Sequence, residues 1–182
     1  MDFSEVKQES NKFLTNLKEK IKVSVQPKQR EKTIYNINLI QLKDKGIKAL
    51  ILDLDDTLLP KTSSDITPKL FEFIEGLKMA GFKVCISSNN RFPKRVAFIS
   101  RELELPYMSL AFKPLPQPFK KALELLGSKK KETAIIGDQL FTDILGGNLF
   151  GIHTIMVMPI TGETNLLRQI MRRAEKFFLN LK

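Results

Sequence analysis

The chain has 182 residues, enough for one domain with a proper core. Its hydrophobic share of 42% and charged share of 27% are those of a soluble globular protein, and its net charge of +10 points to a phosphate-bearing partner or an anionic membrane surface. A single cysteine excludes an intramolecular disulfide, one His and one Cys exclude a zinc site of the usual ligands, and no Trp with only two Tyr tells against a platform for stacking nucleic-acid bases.

The N-terminal segment carries Phe3, Val6, Phe13, Leu14, Leu17 and Ile21 at helical spacing, among Lys7, Lys12, Lys18, Lys20 and Lys22. Such a helix docks on the rest of the fold or lies on an anionic bilayer. It has no apolar signal core, and Asp2, Glu5 and Glu9 tell against a transit peptide. The expected location is therefore cytoplasmic, peripheral on the inner face of the membrane. Residues 23–33 read as a polar connector, so residues 1–33 are taken as an amphipathic helix with its linker and residues 34–182 as the main domain.

From residue 47 the pattern alternates. Strands are predicted at Ile47–Leu52, Phe82–Ser87, Tyr107–Phe112, Thr133–Ile136 and Ile152–Met158. Helices are predicted at Pro68–Ala80, Pro93–Glu104, Pro118–Leu126 and Leu140–Phe150. A proline near a helix start loses no hydrogen bond, and Gly81, Gly127 and Gly151 stand where C-terminal glycines do. Alternation of this kind implies a parallel sheet covered on both faces. If the first strand is central, the order is 3-2-1-4-5. Cys85 falls inside "FKVCIS" and reads as a core residue. A second basic amphipathic stripe, Leu166 to Leu181, ends the chain with Arg168, Arg172, Arg173 and Lys176.

Polar residues interrupt the apolar runs at one kind of place, the strand C-termini. Asp53, Asp55 and Asp56 follow the first strand, Ser88, Asn89 and Asn90 the second, Lys113 the third, and Asp138 the fourth, with Asp143 about one turn on. Ligands of an open parallel sheet bind outside these ends, where strand order reverses. Carboxylate oxygens without His or Cys suit Mg²⁺. An Asp such as Asp53 can act as a covalent nucleophile, and a second acid two residues on, Asp55, can protonate the leaving oxygen and later accept a proton from water. Ser88, Asn89 and Lys113 supply donors for phosphoryl oxygens. A calcium loop is excluded, because Leu58 and Ser64 stand where an EF-hand needs Gly and Glu.

These four motifs resemble those of the haloacid dehalogenase superfamily of phosphotransferases. "DLDDT" is similar to its first motif, Ser88 to its second, Lys113 to its third and "GDQLFTD" to its fourth. The wider stretches "TIYNINLIQLKDKGIKALILDLDDTLL", "KVCISSNN", "KPLPQPFKKAL" and "IIGDQLFTDILGGNLFGIHTIMV" resemble the YqeG-like phosphatases of subclass IIIA, relatives of phosphatidylglycerophosphate phosphatases. The resemblance implies a Rossmann-like three-layer α/β sandwich and a Mg²⁺-dependent phosphatase working through a phospho-aspartate. It implies Asp53 as nucleophile and metal ligand, and Asp55 as acid/base with its main-chain carbonyl on the metal. Thr57 would orient Asp55, and Asp138 and Asp143 would hold the metal. Two departures stand out: Asp56 where the family usually has Asn, and Phe112 where it usually has Arg. His153 matches the family but reads as structural.

Spacing predicts an open site without a large cap. "LPKTSSDI" leaves room for a short flap, and Ser88 to Lys113 holds one helix and one strand. An open site with basic flanks suits phosphatidylglycerophosphate presented by an anionic bilayer. Two alternatives stand beside this: a soluble phosphate ester or a macromolecular phosphate as substrate, and a non-catalytic module that only carries a phospho-aspartate.

Overall fold

A computed structural model describes residues 24–161, so the two flanking basic stripes lie outside the described residues, apart from the connector from residue 24 on. Six strands form one sheet: β1 (Gln29–Glu31), β2 (Ala49–Leu52), β3 (Lys83–Ser87), β4 (Tyr107–Met108), β5 (Thr133–Gly137) and β6 (His153–Val157). Their order is β1-β6-β5-β2-β3-β4, and every pairing is parallel. The helices are α1 (Leu39–Asp44), α2 (Pro68–Met79), α3 (Pro93–Glu102), α4 (Pro116–Leu126) and α5 (Leu145–Phe150).

The sheet is buried on both faces at its centre, where β2 is apolar throughout and β5 is apolar apart from the buried Thr133. Side chains alternate across a strand, so Leu50 and Leu52 point one way and Ala49 and Ile51 the other. Leu50 and Leu52 join Ile74, Leu77, Val96 and Ile99 of α2 and α3. Ile51 joins Cys85, Ile135 and, from α4 and α5, Phe119, Ala122 and Phe150. Three layers result, with β2 in the middle. Truncating a buried aliphatic such as Ile51 to Ala would cost about 2–5 kcal/mol.

The predicted order 3-2-1-4-5 holds for β4-β3-β2-β5-β6, with one strand added at the edge. That strand, β1, comes from the segment read as a connector: Gln29, Arg30 and Glu31 pair with Ile155, Met156 and Val157. The third strand is much shorter than Tyr107–Phe112. Pairing stops at Met108, and Leu110 and Phe112 take φ of 50° and 58°. A ladder cannot continue through left-handed backbone. The last predicted helix is also divided. Leu140–Ile144 forms a π-turn and only Leu145–Phe150 is α-helical. No regular element other than the Asp55–Leu59 bridge lies between β2 and α2, so the flap is short as expected.

Candidate active site

The site lies at the C-terminal edge of β2, β3, β4 and β5. Asp53 leaves β2 with its backbone N–H still bonded to the Ile136 carbonyl of β5, at 2.9 Å. Ser87 closes β3, and the Ser88 N–H bonds the Met108 carbonyl. Asp138 follows β5 directly. Asp143 sits on the π-turn, and its Oδ2 accepts from the Gln139 N–H at 3.2 Å. A π-turn spaces residues more widely than an α-turn and recurs at functional sites.

Lys113 ties these strand ends together. Its Nζ stands 2.7 Å from Asp53 Oδ1, 2.7 Å from the Ser87 carbonyl and 2.6 Å from Asp143 Oδ1. Asp53, Asp138 and Asp143 are buried and bring one carboxylate oxygen each within 4.8 Å of one another. Three carboxyl groups face one ammonium here. Burial pushes the Asp53 carboxyl up to about 7, against the pull of Lys113 and with the help of Asp143. For Lys113, burial works downward, but Asp143 and Asp53 outweigh it and raise the ammonium above its ordinary value.

This donor set fits a divalent cation. Asp53 Oδ2 is buried with no hydrogen-bond partner among the described residues, a state that costs free energy unless something charged meets it. Oxygen-only ligation by several carboxyl groups suits a hard divalent cation. Gly137 makes room for the arrangement, since a Cβ there would meet Asp143 Oδ2 at 2.3 Å.

Asp55 has a different neighbourhood. Its side chain lies outside the three-carboxylate group. Arg95 Nη1 donates to Oδ1 at 2.7 Å and Asn90 Nδ2 donates to Oδ2 at 2.8 Å. The rest of the Arg95 fork reaches the flap, bonding the Pro60 carbonyl at 3.0 Å and the Ser63 carbonyl at 2.6 Å. Thr57 is buried and its hydroxyl points to Asp138 Oδ1 at 3.5 Å, rather than to Asp55. Asn89 faces the Lys113 main chain. Its amide donates to that carbonyl and accepts from that N–H, both at 2.9 Å. It thereby locks the loop after β3 to the loop before α4. Ser88 is buried, and its Oγ accepts from the Asn90 N–H at 3.0 Å.

Arg95 and Asn90 were not singled out in the sequence as site residues. Asn90 stood in the motif but without a role. Nothing in "RFPKRV" separates Arg95 from Arg91 or Lys94, except its place as the third residue of α3.

A family model described as haloacid dehalogenase-like hydrolase matches residues 61–151, and one described as mitochondrial PGP phosphatase matches residues 9–102. The probable phosphatase YqeG of Bacillus subtilis (strain 168) is 38% identical over 154 residues, which is 85% of this chain and 89% of that protein. The chain belongs to the haloacid dehalogenase-like hydrolases, in their YqeG-like branch. It is a phosphatase of that family, a hydrolase of phosphoric monoesters. The chloroplastic phosphatidylglycerophosphate phosphatase 1 of Chlamydomonas reinhardtii is 28% identical over 158 residues, spanning 80% of this chain but 58% of the alga's protein. In fold, the sheet matches an uncharacterised protein of Listeria monocytogenes serotype 4b, with a TM-score of 0.53 at 22% identity over 65% of this chain and 85% of that one. Among the described residues, no helix is long and apolar enough to cross a membrane.

Proposed function

We propose that this phosphatase removes the terminal phosphate of phosphatidylglycerophosphate at a membrane surface, with Mg²⁺ and through a phospho-aspartate. The observation that carries the chemistry is Lys113 bridging Asp53 and Asp143 beside Asp138. The lipid reading is supported by the family model over residues 9–102, by the algal relative and by the uncapped site.

Asp53, Asp138 and Asp143 would hold Mg²⁺, with the Asp55 carbonyl as a further oxygen. When bound, the ion offsets negative charge shared by the carboxylates and the phosphate. Lys113 fixes the phosphoryl oxygens with its ammonium, and Ser88 adds a hydroxyl. Asp53 attacks phosphorus through a carboxylate oxygen, and the bond from phosphorus to the ester oxygen breaks. Asp55 gives that oxygen its proton. Water then attacks the phospho-aspartate, Asp55 takes the proton, and phosphate leaves with Asp53 regenerated. Before it donates, Asp55 must exchange its contact with Arg95 for the leaving oxygen.

A phosphate-release screen with Mg²⁺ tests this, comparing phosphatidylglycerophosphate in mixed micelles with soluble sugar phosphates, nucleotides and phosphopeptides. The lipid should give the highest kcat/KM, and Asp53→Asn should lower release from every substrate by about a thousand-fold or more. A soluble ester turned over about ten-fold more efficiently than the lipid would sink the substrate assignment. Undiminished release by Asp53→Asn would sink the mechanism.

A further inference from the structure

The rim of the site is apolar where an enzyme of a small soluble ester needs no apolar surface. Phe92, two residues beyond Asn90, is 59% exposed, and Phe112, directly before Lys113, is 65% exposed. Leu110 and Leu115 are exposed on the same loop, and Met158 and Ile160 are exposed beyond the end of β6. All six follow strand C-termini, at the edge of the sheet that holds Asp53.

The part of the rim after β3 and β4 is one built surface. The Ala111 N–H bonds the Ser88 carbonyl at 3.0 Å, and Asn89 bonds the Lys113 main chain twice, so the Phe92 and Phe112 loops are fastened together. On the far side, the Ile160 N–H bonds the Asp56 carbonyl at 2.9 Å. Leu110 and Phe112 occupy left-handed backbone that bulky side chains avoid. A conformation of this kind persists only where the surroundings over-determine it. Here its result is two large apolar side chains held in water.

Charge names the occupant. The stretches 87–101 and 105–123, which carry both loops, contain no Asp or Glu. They present Arg91, Lys94, Lys120 and Lys121 at the surface. Arg91 lies 5.5 Å from the Phe92 ring, so cation and aromatic share one spot. Among the described residues, Glu124 is the one acid beside Leu110 and Phe112, against Lys120 and Lys121 in the same hollow. Apolar tips beside a surface of net positive charge match the interface of an anionic bilayer, where apolar groups enter the headgroup boundary and cations meet lipid phosphates.

We infer that Phe92, Leu110, Phe112 and Leu115 form a bilayer-inserting rim that seats the catalytic edge of the sheet on an anionic membrane. This rests on the reading of the substrate as a membrane lipid. It places the contact around the site itself rather than on the flanking basic segments alone.

The test uses the full chain and vesicles of phosphatidylcholine with about 30% phosphatidylglycerol. Phe92→Ser combined with Phe112→Asn, the latter because Asn tolerates left-handed backbone, should weaken vesicle partitioning at least about ten-fold and leave hydrolysis of a soluble aryl phosphate unchanged. Unchanged partitioning overturns the rim. A concentration-dependent dimer abolished by the same pair of changes, with vesicle binding intact, also overturns it. A second measurement needs no disruption: the chain has no Trp, so Phe92→Trp is the sole indole. Its emission should shift to the blue with these vesicles and be quenched by brominated lipid, whereas Met79→Trp should not respond. An unquenched Phe92→Trp protein that still hydrolyses phosphatidylglycerophosphate in mixed micelles overturns the rim and leaves the lipid reading standing. Quenching without hydrolysis of that lipid supports the rim and overturns the substrate assignment.

Discussion

Arg95 holds Asp55 at 2.7 Å with one end of its guanidinium and the carbonyls of Pro60 and Ser63 with the other. One side chain of α3 thus fixes both the candidate acid and the flap above it. Both partners of the ion pair are mostly buried, with side-chain exposures of 14% and 11%. Removing one partner therefore leaves a mostly buried charge unpaired, which costs more than breaking a surface salt bridge.

Arg95→Gln should lower kcat on a soluble aryl phosphate by about ten-fold with KM little changed, and should lower stability by about 2 kcal/mol. Arg95→Lys should not rescue it, because an ammonium cannot span Asp55 and two carbonyls as a planar fork does. Steady-state kinetics and urea unfolding of the three proteins decide the matter. Full rescue by Lys would mean that charge alone is used.

Gly137→Ala tests the carboxylate cluster through packing alone. The added Cβ would stand 2.3 Å from Asp143 Oδ2, so Asp143 must move and loosen its contact with Lys113. A cost of about 1–3 kcal/mol is expected from overpacking. Mg²⁺ at a hundred-fold its Kd should stabilise the parent by about 2.7 kcal/mol and the variant far less. Thermal melting with and without Mg²⁺ measures both. An equal metal response in the two proteins would remove Asp143 from the ligand set.

The site was legible because burial makes polar residues conspicuous: Asp53 and Asp138 each break an apolar run at a strand end, and Lys113 breaks one in the loop after β4. Other features left no such mark. β1 is Gln-Arg-Glu, a polar edge strand recognisable only through its pairing with β6. Leu110 and Phe112 look like strand residues, and sequence offers no sign of left-handed backbone at residues that avoid it. Arg95 is one of three cations in five residues, and only the register of α3 singles it out.

His153 begins β6 half-buried, and its Nε2 has no hydrogen-bond partner among the described residues. Burial, then the charges of Lys45 and Lys28, push the imidazole down to about 4. The unfolded chain takes up a proton near 6.5, while the folded chain waits until about 4. Over that window the unfolded state binds more protons, so stability is complete above pH 6.5 and declines as pH falls toward 4. His153→Leu should flatten that decline in urea midpoints measured across the window. A decline as steep as the parent's would assign it to carboxylates instead.

Asp56 is the departure from the family pattern that the structure explains best. It is fully buried with φ of 62°, and Asp and Asn are the side chains that accept that conformation most readily after Gly. Its N–H bonds the Leu59 carbonyl, its carbonyl accepts from the Ile160 N–H, and its Oδ1 accepts from the Thr161 hydroxyl. The residue therefore shapes the turn below the flap and anchors the segment after β6. Asn offers the same turn preference and an acceptor oxygen for Thr161. Asp56→Asn should keep kcat within about two-fold and stability within about 1 kcal/mol of the parent. Asp56→Leu keeps the size but loses both properties, and it should cost about 2–4 kcal/mol through strain and an unpaired Thr161 hydroxyl. Urea unfolding and aryl phosphate kinetics on both variants distinguish this role from a catalytic one. A hundred-fold loss of kcat in Asp56→Asn with stability intact would place the acid in the chemistry after all.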